Sequence, residues 1–409
     1  MRTKEEKRGN YRIAFYGHKS IPSREGGIEV VVQEMSVRMA DGGHDVTCLN
    51  RGGNHTAFEN TSEIKDGKYQ GVKLETVPTI DKSGLAAASS SFFAAWKAAL
   101  GPYDIVHIHA EGPAAFCWIP KMFGKRIIVT VHGLDWKRDK WRGFARKYIH
   151  YGEKMAAAHA DKIIVLSKDM KQYFMDEYGR DTVYIPNGTE CPESVCVDLI
   201  QSKFGLKKDE YILYLGRLVP EKKADILIQA FRKTKTDKKL VIAGPDSNTD
   251  EYIVNLHKLA EGDPRIIFTG FVKDRLYEEL MSNAYLYVLP SKLEGMPLSL
   301  LEAMSYGNCC VTSNIPECKE VIGNHGVLVE PEDIEGLRSE LQFLVDHPSV
   351  VEKYREETRE LVYSKAGWDE VVDKTLELYR KPEVAYDRQM FSNLTNLEGS
   401  NASNAAKLH

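Results

Sequence analysis

No Cys-x-x-Cys pair occurs anywhere in the 409-residue chain, and its seven cysteines, an odd number, are scattered from Cys48 to Cys318. That pattern excludes a disulfide framework and a structural zinc site, and it fits a reducing compartment. No apolar run reaches the roughly 18 residues of a membrane span. The opening stretch MRTKEEKRGNYRIAFYG passes from charge straight into a strand-like run, without the apolar core of a secretory leader. A cytoplasmic protein is expected, at most peripheral on the cytoplasmic membrane face. Positive charge is not in excess either. The formal net charge of −4 argues against a nucleic-acid partner. Asp-x-Asp is also missing, so no carboxylate pair is offered to a divalent metal; neither a metal nor a bound cofactor is expected.

What is present is a globular composition, 43% apolar and 28% charged, over a length suited to two cores. Short β-branched runs punctuated by Gly, Asn or His recur: RIAFYG, HDVTCLN, DIVHIHA, RIIVTVHG, KIIVLS and TVYIPNG, then YILYLGR, KLVIAGP, RIIFTGF, YLYVLPS and CCVTSN. Their length and composition are those of buried strands. Helical patterns separate them, as in IEVVVQEMSVRMADGG, where Ile28, Val31, Val32, Met35 and Met39 share a face. Strand, helix, strand in series implies parallel sheets, and the fold class expected is α/β with two doubly wound Rossmann-like domains facing each other across a cleft. The boundaries expected are 1–190 for the first domain and 191–384 for the second, which ends in closing helices. Residues 385–409, polar and low in complexity, are expected to be a disordered tail.

The stretch SKLEGMPLSLLEAMSYG, residues 291–307, places Glu294 before a helix start and Glu302 two turns beyond it. Pro297 suits the first helical position and Gly307 the stop. Gly295 leaves room for something to approach the backbone. The free amides at the entrance, residues 295 to 298 (Gly295, Met296, Pro297, Leu298), form an anion seat fit for phosphate. Carboxylates repel phosphate, so the two glutamates are expected to take hydroxyls on either side of it: a sugar at one end, a ribose at the other. In YLGRLVPEKKADILIQAF, Gly216, Arg217 and Lys222 follow a strand and open a helix, where the two cations would hold a diphosphate. Taken singly, each of these residues has a structural alternative as a loop charge or a solvated helix residue.

Taken together, GRLVPEKKADILIQAF, VIAGP, FTGFV, VLPSKLEGMPLSLLEAMSYG and SNIPECKEVIG in the second half, with GGIEVVVQEMSVRMADGGHDVTCLNR, DIVHIHAEGP, VTVHGLDWKRDKW, VLSKDMKQYF and YIPNGTE in the first, resemble the retaining glycosyltransferases of family 4, which have the GT-B fold. The matching stretches run in the family's order over almost all of residues 11–380. The resemblance implies that Glu294 touches the donor sugar and Glu302 the ribose, and that Arg217 and Lys222 hold the diphosphate. It further implies that Gly26 and Gly27 form a loop closing over the phosphates and that His132 lies beside the donor sugar. Asp135 and Asn187 fall near the cleft. MPLSLL after Glu-Gly, and SNIPECKEV where the family commonly has a Gly-Gly turn, depart from its pattern and leave the sugar open.

The resulting expectation is a metal-independent, retaining hexosyltransferase. It would move a sugar from a nucleoside diphosphate, with UDP favoured, to a glycan or lipid-linked glycan acceptor in cell-surface polysaccharide synthesis. His132, Arg217, Lys222 and Glu294 form its expected catalytic set. Residues 137–148 carry six Lys or Arg against one acid, interleaved with aromatics, and could rest on anionic lipid. A nucleotide-sugar epimerase of the same architecture, and a catalytically silent nucleotide-sugar-binding protein, are the alternatives.

Overall fold

The computed structural model describes residues 9–53, 61–82, 84–138, 141–190, 192–245, 250–364 and 367–380; the expected tail lies outside them. Among the described residues fourteen strands form two sheets. The first eight are β1 (Arg12–Tyr16), β2 (Asp45–Arg51), β3 (Lys68–Tyr69), β4 (Val72–Val77), β5 (Ile105–His109), β6 (Arg126–Val131), β7 (Lys162–Val165) and β8 (Val183–Tyr184). They lie in the order β3-β4-β2-β1-β5-β6-β7-β8, parallel except for the β3–β4 hairpin. The other six are β9 (Tyr211–Leu215), β10 (Lys239–Ala243), β11 (Ile266–Gly270), β12 (Leu286–Leu289), β13 (Cys310–Ser313) and β14 (Val327–Val329). They form a parallel sheet in the order β11-β10-β9-β12-β13-β14. Both sheets are covered by helices on both faces, which is why β1, β5, β6 and β9 are buried along nearly their whole length and not at alternate residues.

Strand order reverses between β1 and β5 in the first sheet and between β9 and β12 in the second. At such a reversal the following helices leave in opposite directions, so a crevice opens at the carboxyl ends of the central strands. The loops after β9 and β12 carry Arg217, Lys222 and Glu294; those after β1 and β6 carry Gly26, Gly27 and His132.

The helices at the end of the chain need a correction. The expected second domain ran unbroken to 384, but the last helix, Trp368–Tyr379, packs on the first sheet. Trp368, Val371, Val372 and Tyr379 join Ile13, Phe15, Val32, Met35 and Ile128 in one core cluster. Arg126 donates to the Leu378 carbonyl at 2.9 and 3.0 Å, and the Tyr379 hydroxyl sits 2.7 Å from His107 Nδ1. The apolar stripe of this helix matches an uncovered face of the first sheet, so the chain crosses back and ties the two domains together.

Candidate active site at the interdomain crevice

Lys222 lies in the short 3-10 turn Pro220–Lys222 after β9, and Glu294 lies in the loop after β12. Adjacent strands bring them together, with Lys222 Nζ 2.5 Å from Glu294 Oε1 and both side chains largely buried. Arg217 is half-buried on the same β9 loop, next to Gly216, and its carbonyl accepts the Tyr214 hydroxyl at 3.1 Å. The helix Leu298–Ser305 starts one residue later than the sequence pattern suggests: Pro297 is its N-cap, not its first turn. The Pro297 carbonyl accepts from Leu300 and Leu301, each at 3.1 Å, and no side chain caps the end. The amides of the first helical residues are therefore left without a side-chain cap, at the positive end of the helix dipole.

The first domain closes on this point through its glycines. Gly26 is extended just before the helix Gly27–Asp41, and a Cβ at Gly27 would meet Leu298 Cδ1 at 3.4 Å. Gly295 carries a correction: the room it leaves is taken by protein. A Cβ there would stand 1.6 Å from the His132 carbonyl oxygen, and one at Gly133, where φ is +155°, would stand 3.0 Å from Gly295 Cα. Two backbones from opposite domains touch because neither residue has a side chain. Beside this contact the Asn187 amide donates to Met296 Sδ at 3.1 Å. A cavity of about 110 Å³ lined by Asn187, Gly295, Met296 and Glu317 lies between the domains.

Glu302, five residues into its helix, accepts from Arg24 Nη2 of the first domain at 2.8 Å. Burial pushes its carboxyl up and the Arg24 charge opposes that. His132 is the outermost of three stacked imidazoles: its Nε2 is 2.8 Å from His109 Nδ1, and the His107 and His109 rings are stacked at 4.5 Å. Burial lowers His132 to about 4 and His107 to about 3, so the ladder is neutral near pH 7. Asp135 pairs with Arg138 at 2.7 Å, and Arg138 Nη1 reaches within 3.7 Å of Glu221 in the second domain.

The structure thus gathers Gly26, Gly27, His132, Asp135, Asn187, Gly216, Arg217, Lys222, Glu294–Leu298 and Glu302 around one crevice. It also brings in Arg24, Arg138 and His109, which the sequence reading did not place at the site. The described residues of the basic stretch 137–148 do not share one face. Arg138 turns into the crevice and Lys137 lies over the Trp136 and Tyr173 rings, while Arg142, Phe144, Arg146 and Lys147 are exposed. Among the described residues no three His, Cys, Asp or Glu side chains gather as a metal site would need.

The sequence matches the family profile described as Glycosyltransferase Family 4 over residues 25–191 and that described as Glycosyl transferases group 1 over residues 198–361. It is 24% identical to glycogen synthase of Mycobacterium tuberculosis (strain CDC 1551 / Oshkosh), over 90% of this chain and 94% of that protein. It is 27% identical to the UDP-Gal:alpha-D-GlcNAc-diphosphoundecaprenol alpha-1,3-galactosyltransferase of Escherichia coli, over 68% of this chain and 75% of that one. Among solved structures, Anabaena Alr3699/HepE in complex with UDP and glucose superposes with a TM-score of 0.74 at 17% identity, covering 90% of this chain and 99% of that one. Sucrose-phosphate synthase from Thermosynechococcus elongatus gives 0.75 at 21%, covering 93% and 99%. At such identities the structural likeness establishes the two-domain fold alone.

Proposed function

The chain belongs to family 4 of the glycosyltransferases, with the GT-B fold, and on that footing we propose that it transfers a sugar, with retention and without a metal, from a UDP-sugar to a lipid-linked glycan. The observation that carries the reading is the Lys222–Glu294 pair, 2.5 Å apart at the mouth of the helix Leu298–Ser305. A departing diphosphate gains negative charge as the anomeric bond loosens. Lys222, Arg217 and the helix amides are fixed beforehand where that charge develops, and preorganised donors of this kind lower a barrier by several kcal/mol. In this reading Glu294 accepts from a sugar hydroxyl while remaining paired with Lys222, and Glu302 accepts from the ribose as Arg24 gives way. Neutral His132 lines the sugar side. The two cations take the place that a divalent ion fills in metal-dependent transferases. Retention follows from attack on the leaving-group face, with the departing phosphate taking the acceptor's proton.

UDP is favoured because the galactosyltransferase relative is named for a UDP donor and a diphosphoundecaprenol-linked acceptor. A lipid acceptor also suits the surface of the first domain. The helix Ala86–Leu100 buries small residues, Ser90, Ser91, Ala94, Ala95, Ala98 and Ala99, and turns Phe92, Phe93, Trp96 and Leu100 outward beside Met122 and Phe123. Such an aromatic face, with exposed Arg142, Arg146 and Lys147 in the same domain, fits the cytoplasmic face of an anionic membrane. Among the described residues no helix is long and apolar enough to cross a membrane.

The test is consumption of UDP-glucose, UDP-galactose, GDP-mannose and their N-acetyl counterparts, with and without a lipid extract, in the presence of EDTA. Transfer that needs the extract and survives EDTA is expected. Consumption without acceptor would favour an epimerase, and binding without consumption a silent binder. Loss of turnover with EDTA would remove metal independence.

A further inference from the structure

The first domain buries two carboxyl groups side by side behind the crevice, and the transfer chemistry above does not use them. Glu111 follows β5 and opens the short helix Glu111–Ala114; Glu153 lies in the helix Gly143–His159. Both are 0% exposed. The two elements pack flush because the neighbour of Glu153 is Gly152, where a Cβ would stand 2.0 Å from the Glu111 carbonyl oxygen. Just before Glu111, Ala110 holds φ +75°, a conformation that L-residues rarely adopt.

Hydrogen bonds divide the roles within the pair. Glu153 accepts from Trp136 Nε1 at 3.0 Å, from the Tyr173 hydroxyl at 2.7 Å and from the Tyr178 hydroxyl. Glu111 Oε2 accepts the Asp135 N–H at 2.7 Å, while its Oε1 is buried with no donor in reach. Two ionised carboxylates cannot share so dry a place, and one proton between them resolves both problems. Glu111 then donates to Glu153. Burial and that bond push the Glu111 carboxyl far up; burial works against Glu153 as well, but donors from Glu111, Tyr178, Tyr173 and Trp136 hold its carboxyl down. The charged or titratable groups facing the pair are Asp135, Lys137 over the Trp136 and Tyr173 rings, Arg146 over Trp136, and His150, 3.4 Å from the Tyr178 hydroxyl.

The groups held from the loop side, the Asp135 amide and the Trp136 indole, belong to a single segment. That segment also carries Gly133, which abuts Gly295, and Arg138, which reaches toward Glu221. We propose that Glu111 and Glu153 are positioning residues for sugar transfer, joined by one shared proton into a single anionic unit that clamps residues 133–138 against the donor crevice. The clamp places the Gly133–Gly295 contact and the Arg138 charge without touching substrate.

Only the kinetic arm of the test rests on the transferase reading. In infrared spectra of the full-length chain at pH 7.5, wild type should show a protonated-carboxyl stretch that E111Q lacks. Absence of that band in wild type overturns the shared proton whatever the activity. With whichever of UDP-glucose, UDP-galactose or GDP-mannose wild type consumes, E111Q, whose amide can both accept from Asp135 and donate to Glu153, should keep kcat within about threefold, whereas E111A should lose about 100-fold, the cost of misplacing a reacting group by about 1 Å. Equal kcat for E111Q and E111A, or a loss in E111A that only tracks its unfolded fraction by circular dichroism, overturns the positioning role. If wild type consumes none of the three donors, the transferase reading is what fails. The infrared band still decides the proton.

Discussion

Lys222 and Glu294 stand 2.5 Å apart although 72 residues separate them in sequence. They meet because β9 and β12 are neighbours at the point where the strand order reverses. Each side chain therefore depends on the other for burial. Removing the ammonium by K222A strands a carboxylate that is 6% exposed, and breaking a buried pair from one side costs about 3 kcal/mol.

K222A should lose turnover by at least about 100-fold, because a charge aimed at the leaving group is gone, and should also lose stability. The double variant K222M/E294Q separates the two effects. It leaves no uncompensated charge, so urea unfolding should show most of the stability restored while turnover stays lost. Turnover returning with stability would show that the pair is structural.

The Gly295–His132 contact makes a different prediction, about domain closure. An alanine at 295 has no space in the closed arrangement, since its Cβ would stand 1.6 Å from the His132 carbonyl oxygen. The least costly response is for the domains to part, because the interior of each is untouched. G295A should increase the radius of gyration in small-angle scattering and lower kcat by at least about 10-fold through misplacement of the His132 loop, with little change in the melting midpoint. An unchanged scattering profile with full activity would remove this contact from the closing mechanism.

These contacts also mark how far the sequence could be read. Parallel strands buried on both faces write themselves as apolar runs, so the strands that flank both crevices were legible, and with them the fold. The β3–β4 hairpin in YQGVKLETV and the three residues of β14 are too short to form such a run and were missed. Glu294 and Glu302 were legible because they bracket one helix start. Arg24 was not: its partner Glu302 lies 278 residues away and is reached only when the domains close. The helix Trp368–Tyr379 shows the same limit, since its apolar stripe announces packing but not which of two similar sheets receives it.

Arg24 and Glu302 lead to a prediction about nucleotide binding. The guanidinium occupies the carboxylate that the proposed ribose hydroxyls would use, at 2.8 Å and with both side chains partly exposed. An ion pair of that exposure contributes at most about 1 kcal/mol. Calorimetry with UDP should therefore find R24A within about fivefold of wild type. E302A, which removes the acceptor of a charge-assisted bond, should bind about 10-fold more weakly or worse. Equal losses in the two variants would mean that the ion pair itself, not the ribose contact, organises the site.

The buried histidines set the response of the fold to acid. Burial lowers His18, His107, His109 and His132, with His107 reaching about 3 and His132 about 4. The unfolded chain takes up a proton at each near pH 6.5, whereas the native chain does not, so stability is full above that pH and falls as pH drops through it. Three carboxyls act in the opposite sense: Glu111, Glu302 and Glu317 are raised by burial and hold protons longer in the fold than in the unfolded chain. Below about pH 5.5, where all four histidines of the unfolded chain are charged, four histidines against three acids leave about one net proton or more, and thus a decline of at least about 1.4 kcal/mol per pH unit. Urea unfolding at pH 7.5, about 5.5 and about 4.5 measures this slope. The imidazole resonances of these four histidines in the native chain should stay in their neutral positions down to about pH 5.5. Flat or rising stability toward acid would mean that the histidine ladder is solvated and charged, and that His132 does not present a neutral ring to the sugar.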